Sequence, residues 1–232
     1  MIIGDKHIAK KVKKYFDHDD VIIFDVFSYD SKGENVIQYE EEKEQVLNIL
    51  LENNDSSLFV YFSTCSVYDE NEINMPYVQH KLNIENLIKD KSNNYLIIRK
   101  SQLVGGTEDK TSIVNFLVDC IANGKKFNLW KNTFRNIMDI EDFCSIASRA
   151  IKDKTFRNSI INIANPKNIS VIEIVDNIEK YLGRKGQYDL LDMGTQYNID
   201  IKKIEFFLNY SSICFEKDYF LNILKKYFKT SI

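Results

Sequence analysis

The stretch Leu58-Phe-Val-Tyr-Phe-Ser-Thr-Cys-Ser-Val-Tyr68, followed by Tyr77-Val-Gln-His-Lys81, decides the fold. Leu58–Phe62 is wholly apolar, short, and rich in aromatic and β-branched residues, the pattern of a strand buried on both faces. It ends in two hydroxyls, Ser63 and Thr64. Tyr77 and Lys81 are four residues apart and fall on one face of a helix over 76–90, one turn from each other. A free tyrosine titrates near ~10, and a nearby cation favours the phenolate and lowers that value. The pair therefore suits proton transfer to and from a sugar-like carbonyl or hydroxyl. Thr64 is expected at a cleft at the carboxyl end of a sheet, hydrogen-bonding the same substrate oxygen as Tyr77.

Outward from this stretch, short apolar runs alternate with helical patterns. Met1-Ile-Ile-Gly4 reads as a strand ending in glycine, and 7–16 as a helix with Ile8, Val12, Tyr15 and Phe16 at helical spacing. Val21–Phe24 is a second apolar run, followed by a polar loop, Ser28–Asn35. Residues 40–53 read as an acidic helix with Val46, Ile49 and Leu50 on one face. Tyr95–Ile98, Phe127–Trp130 and Ile160–Ala164 read as strands; Ser112–Asn123 and Ile140–Lys152 contain helices. Ser170 with Glu173 forms a capping box at the start of a helix that ends at Gly183. Tyr219–Phe228 reads as a packed helix. The alternation argues for an α/β fold with a parallel sheet.

Composition narrows the function. The chain has 232 residues, 44% hydrophobic and 28% charged, with a net charge of −3. Nothing in that balance suggests a nucleic-acid binder. No apolar run approaches the roughly 20 residues of a membrane span, and the apolar start is too short for a signal peptide. The four cysteines form no C-x-x-C pair, so reduced thiols and a cytoplasmic setting are expected. His7 and His80 have no clustered partners, and no metal site is expected.

Several motifs in order carry a resemblance. Phe59–Tyr68 is similar to a strand-end Ser-Thr-x-x-Val-Tyr, and Tyr77–Lys81 to a Tyr-x-x-x-Lys pair. Leu96–Arg99 through Gln102–Gly105 is similar to Ile-Ile-Arg-Pro-x-Asn-Val-Tyr-Gly. Arg135–Asp142, Ile161–Ala164 and Asp200–Leu208 resemble later motifs in the same order. Together they resemble the extended short-chain dehydrogenase/reductase family, the NAD-dependent epimerases, dehydratases and reductases of nucleotide-linked sugars.

The resemblance implies a Rossmann-like domain over 1–106 and 137–166, with a small substrate lobe over 107–136 and 167–232. It implies NAD or NADP as cofactor and a nucleotide sugar as substrate, with surface-polysaccharide biosynthesis as the setting. Tyr77 would be the acid/base, Thr64 its hydroxyl partner, and Lys81 the cation that lowers the phenol and holds the nicotinamide ribose. Gly4, Lys6, His7, Ile8, Asp25, Ser63 and Arg99 would surround the cofactor with Tyr77 and Lys81. Cys65, Ser66, Gln102 and Arg135 would face the substrate, Arg135 gripping its pyrophosphate. A homodimer through the helices 40–53 and 76–90 is expected.

The chain also departs from the family pattern. The glycine-rich turn survives only as Gly4, with Lys6 or His7 and then Ala9 in place of the other glycines. Only about 55 residues precede the Ser-Thr strand, so the sheet is expected to be about two strands short of the full order. Val21–Asp25 aligns either with the family's second strand, Asp25 then near the ribose-binding acid position, or with its fourth. The fourth is preferred, because the Ser-Thr strand follows after a single helix. Cys65 and Ser66 stand where dehydratases carry an acidic pair, so 4,6-dehydration is not expected. A reductase or epimerase is the leading reading. The alternative is a degenerate member that binds a nucleotide sugar or a protein partner without redox turnover, and a non-redox isomerase or lyase using Tyr77 as a base completes the set.

Overall fold

The computed structural model describes residues 1–4, 7–15, 20–25, 36–105, 112–209 and 213–228, with backbone alone at His7, Val36 and Asn209. The expectations on Lys6, Phe16 and the loop Ser28–Asn35 lie outside the described residues. In chain order the elements are β1 (Ile2–Gly4), α1 (His7–Lys13), β2 (Val21–Asp25), α2 (Val36–Asn53), β3 (Leu58–Thr64), α3 (Pro76–Lys91), β4 (Tyr95–Lys100) and β5 (Gln102–Val104). They continue with α4 (Ile113–Asn123), β6 (Lys126–Trp130), β7 (Phe134–Arg135), β8 (Ile137–Asp139), α5 (Ile140–Lys152), β9 (Ser159–Ile163) and β10 (Ile169–Ser170). The last are α6 (Val171–Leu182), β11 (Gln187–Leu191), α7 (Glu205–Asn209) and α8 (Tyr219–Tyr227).

Among the described residues, five strands form a central parallel sheet in the order β1-β2-β3-β4-β9. Ile23 of β2 has Ile2 of β1 on one side and Val60 of β3 on the other. A second strand in the dinucleotide-binding order would flank β1 on the side away from β3; a fourth lies between them. The pairing therefore supports the fourth-strand alignment of Val21–Asp25.

β3 explains why the sheet is buried on both faces. Leu58, Val60 and Phe62 pack with Ile8, Val12, Phe143 and Ala147, the inner faces of α1 and α5. Phe59 and Tyr61 point the other way, into a cluster with Val46 and Leu50 of α2 and Ile84 and Ile88 of α3. Each fully buried large apolar side chain contributes about 1.5–3 kcal/mol relative to exposure. Pro76 opens α3 at its first position, where a missing N–H costs nothing. The capping box expected at α6 begins as read, Ser170 accepting the Glu173 N–H at 3.1 Å.

A second cluster joins α4, α6, α8 and β6 through Leu117, Ile121, Phe127, Ile174, Ile178 and Leu224. β6 pairs in parallel with β11. α4 and α6 end on Gly124 and Gly183 at φ 65° and 62°, the left-handed region that glycine tolerates. Tyr227 and Lys226 tie α8 to Asp139 at the start of α5, each at 2.7 Å. No helix among the described residues is long and apolar enough to cross a membrane.

Candidate active site

The carboxyl end of β3 gathers the first group. Thr64 is the last residue of the strand and caps the short turn Cys65–Tyr68, its Oγ1 accepting the Ser66 N–H at 3.1 Å. Thr64 also acts on the Tyr77 phenol, drawing it down. Tyr77 is the second residue of α3. Lys100 ends β4 and is the register partner of Thr64. Successive strand residues face opposite sides, so Thr64 and Lys100 share one face of the sheet and Ser63 and Arg99 the other.

Burial pushes the Tyr77 phenol above its ordinary value; Lys100 pulls it down most strongly, Glu42 and Glu72 push it up, and Thr64 lowers it. This reverses the direction expected from Lys81. Burial is the main cause, and the Lys81 ammonium is engaged elsewhere. Its ammonium is buried, donating to Glu42 Oε1 at 3.1 Å and to the Tyr61 hydroxyl at 2.9 Å. It lies 4.8 Å from the Tyr61 ring centroid and 5.9 Å from that of Tyr77. The Tyr61 hydroxyl donates in turn to Glu42 Oε1 at 2.9 Å, and His80 Nε2 lies 2.6 Å from Glu42 Oε2. Tyr39 stacks on the His80 ring at 4.4 Å. Glu42 is thus the centre of a buried polar knot between α2, α3 and β3. The sequence held a signal for it: Tyr39, Glu42, Val46 and Leu50 are spaced three, four and four apart, one helical stripe with a carboxylate in it.

A second knot holds Ser63 and Arg99. Arg99 grips Glu85 of α3 with two nitrogens, at 2.8 and 2.6 Å, and Ser63 donates to the same carboxylate at 2.6 Å. Arg99 also donates to the Tyr68 hydroxyl at 3.0 Å. Burial alone would lower the Arg99 guanidinium; Glu85 more than offsets it and holds it well above its ordinary value. This is the bidentate geometry that only arginine supplies. It binds α3 to the sheet and draws both side chains into that contact.

Cys65 is buried, its thiol 3.4 Å from the Arg99 carbonyl oxygen, and burial pushes it up to about 12. Such a thiol is no nucleophile at neutral pH. Ser66 is partly buried beside it. Arg135 binds Asp69 Oδ2 at 3.2 Å and Glu72 Oε1 at 3.5 Å. An anionic group reaching Arg135 meets those two acids. Gln102 Oε1 is buried with no hydrogen-bond partner among the described residues, as is Ser101 Oγ. Buried polar atoms are normally paired, so both are open to a polar ligand.

At the same carboxyl edge, on the outer strands, Gly4 pairs with Asp25 across β1 and β2. Asp25 is 1% exposed, and its Oδ2 accepts the Ala9 N–H of α1 at 2.8 Å. Ile8 packs into the core below. Among the described residues, no group of three or more His, Cys, Asp or Glu could hold a metal ion.

The sequence matches no protein-family model and no curated protein. Solved structures are similar in fold. A UDP-glucuronic acid 4-epimerase from Bacillus cereus, in complex with a fluorinated UDP-glucuronic acid and NAD, has a TM-score of 0.73 at 19% identity, over 93% of this chain and 78% of that one. A UDP-Glc/GlcNAc 4-epimerase from Campylobacter jejuni has 0.71 at 19%, over 95% and 79%. A dTDP-glucose 4,6-dehydratase from Bacillus anthracis, in complex with NAD, has 0.70 at 18%, over 96% and 77%. The expected α/β Rossmann-like architecture is therefore the fold of this chain.

Proposed function

We propose that this chain is an NAD(P)-dependent reductase or epimerase of a nucleotide-linked sugar, with Tyr77 as its acid/base. The observation that carries the reading is Tyr77, with the Lys81 ammonium 5.9 Å from its ring centroid and Thr64 acting on its phenol from the carboxyl end of β3. This is the edge of a parallel α/β sheet where such folds bind ligands. The fold neighbours that bind NAD and UDP-sugars support the reading. The orphaned Gln102 Oε1 and Ser101 Oγ give a polar ligand acceptor and hydroxyl to engage.

A nicotinamide, when bound, supplies or accepts the hydride. The residues of this chain handle the rest. The Tyr77 phenol gives its proton to a sugar oxygen, or takes one from a sugar hydroxyl, and Thr64 donates to the phenolate oxygen. Gly4 and the Ile8 backbone at the start of α1 lie where a dinucleotide pyrophosphate approaches such folds. Asp25 already holds the Ala9 N–H there. The smaller cluster of α4, α6, α8 and β6 is assigned as the substrate lobe, and the outer faces of α2 and α3 as the surface of a homodimer.

A second reading has its own support. Lys81 is engaged by Glu42 and Tyr61, and Asp25 sits on α1. Both contacts suit a descendant that binds a nucleotide sugar without redox turnover. Titrating NADH and NADPH into the protein, alone and with a panel of nucleotide-linked sugars, separates the two. Saturable dinucleotide binding supports the enzyme. Sugar-nucleotide binding with no dinucleotide binding supports the second reading.

A further inference from the structure

We propose that Asp69 is a specificity-determining residue: by holding the Arg135 guanidinium, it weakens the grip of this end of the sheet on a phosphate or diphosphate ligand. The inference rests on the reading of the substrate as a nucleotide-linked sugar.

Arg135 ends β7, and the carbonyl oxygen of the next residue, Asn136, accepts the Gln102 N–H at 3.0 Å. Asp69 closes the short turn Cys65–Tyr68, which starts at Thr64. The contact between Arg135 and Asp69 therefore lies at the carboxyl end of the sheet, next to the segment with the orphaned Gln102 Oε1. Arg135 Nη1 donates to Asp69 Oδ2 at 3.2 Å and to the Phe134 carbonyl oxygen at 3.1 Å. Its Nη2 lies 3.5 Å from Glu72 Oε1. A guanidinium grips a phosphate by presenting two parallel N–H groups along one edge. The Nη1–Nη2 edge of Arg135 is turned to two acids instead.

Charge adds to the geometry. Asp69 is 1% exposed, so water and salt screen it little. Two carboxylates against one guanidinium leave an excess of one negative charge. A phosphate that reaches Arg135 meets a cation already neutralised and is repelled by that excess. A neutral sugar hydroxyl meets no such repulsion. The carboxylate is also fixed in place: its Oδ1 accepts the Asn71 N–H at 3.0 Å and the Thr195 hydroxyl at 3.5 Å. Asp69→Asn keeps an oxygen for Asn71 and Thr195 but turns an N–H donor toward Arg135. The turn is then retained and the guanidinium is released.

The test is calorimetric titration of inorganic pyrophosphate, UDP and uridine into the full chain. Asp69→Asn is expected to bind pyrophosphate and UDP about tenfold tighter than the parent, with uridine unchanged. Adding Arg135→Met should remove the gain, which a merely structural role of Asp69 would not produce. Should Asp69→Asn not fold, Asp69→Ser carries the same expectation, because its hydroxyl can still accept the Asn71 N–H. Pyrophosphate affinity unmoved or weakened in the folded variant, or a gain that survives Arg135→Met, overturns the inference. If the gain through Arg135 is found in a protein that binds no nucleotide-linked sugar, the inference stands and the functional reading fails.

Discussion

The Asp25 carboxylate accepts the backbone N–H of Ala9 at 2.8 Å, so a side chain from β2 carries negative charge at the amino-terminal turn of α1. Helix amino termini favour anions through their unsatisfied N–H groups and dipole. In dinucleotide-binding folds the pyrophosphate takes that place. Here a resident carboxylate stands in it. Asn at position 25 keeps an oxygen acceptor and removes the charge. Asp25→Asn is therefore expected to tighten NADH or ADP-ribose binding by about tenfold, a ~1.4 kcal/mol change. The same change should cost stability of about 0.3–1 kcal/mol through the lost dipole interaction. Fluorescence titration reads the first and urea unfolding the second; unchanged affinity would remove Asp25 from the pyrophosphate's path.

Lys81→Met leaves Glu42 buried and short of a cation. Breaking such a pair costs about 3–5 kcal/mol, so the single variant should be strongly destabilised in urea. Removing both charges, Glu42→Leu with Lys81→Met, should recover most of that loss. A single variant as stable as the parent would show that the knot around Glu42 is not structural. Loss of activity in Lys81 variants should be interpreted only beside these unfolding curves.

Stability should fall in alkali. Burial raises the Cys65 and Cys144 thiols from 9.0 to about 12 in the folded chain. Below the unfolded value both states are protonated and the contribution is intact. Between about pH 9 and 12 the unfolded thiols ionise first, which favours unfolding by up to about 1.4 kcal/mol per pH unit for each thiol. The urea midpoint should drop from pH 8.5 upward, and the drop should be shallower in Cys65→Ala and Cys144→Ala. A midpoint flat to pH 11 would contradict the burial argument. At pH 8, iodoacetamide should label the exposed Cys214 and spare Cys65, Cys120 and Cys144 until the chain is unfolded.

Much of the fold was legible because β3 is unambiguous. The run from Leu58 to Phe62 is short, uncharged and rich in aromatic and β-branched residues, which reads as a strand covered on both faces, and both covers are present. The Ser170 cap and the stop at Gly183 are local signals and were read at their positions. The two alignments of Val21–Asp25 differ only in which strand lies beside β3, a long-range pairing that periodicity does not contain. The site was legible as residue types, less so as contacts. Thr64 ends β3 and Tyr77 lies in the first turn of α3, the elements their sequence pattern implies. Lys81 and Arg99 pair with Glu42 and Glu85, two carboxylates that look like solvated helix acids until each is placed on its helix face. Parallel pairing of β6 with β11 left no short-range mark at all.

The account depends most on Tyr77. The direct measurement is turnover of a panel of nucleotide-linked sugars with NAD(P), followed by NMR of the sugar, for the parent and for Tyr77→Phe at equal dinucleotide saturation. The account predicts conversion by the parent and a loss of about 10²–10⁴-fold in Tyr77→Phe. Conversion by Tyr77→Phe at the parent's rate would contradict it.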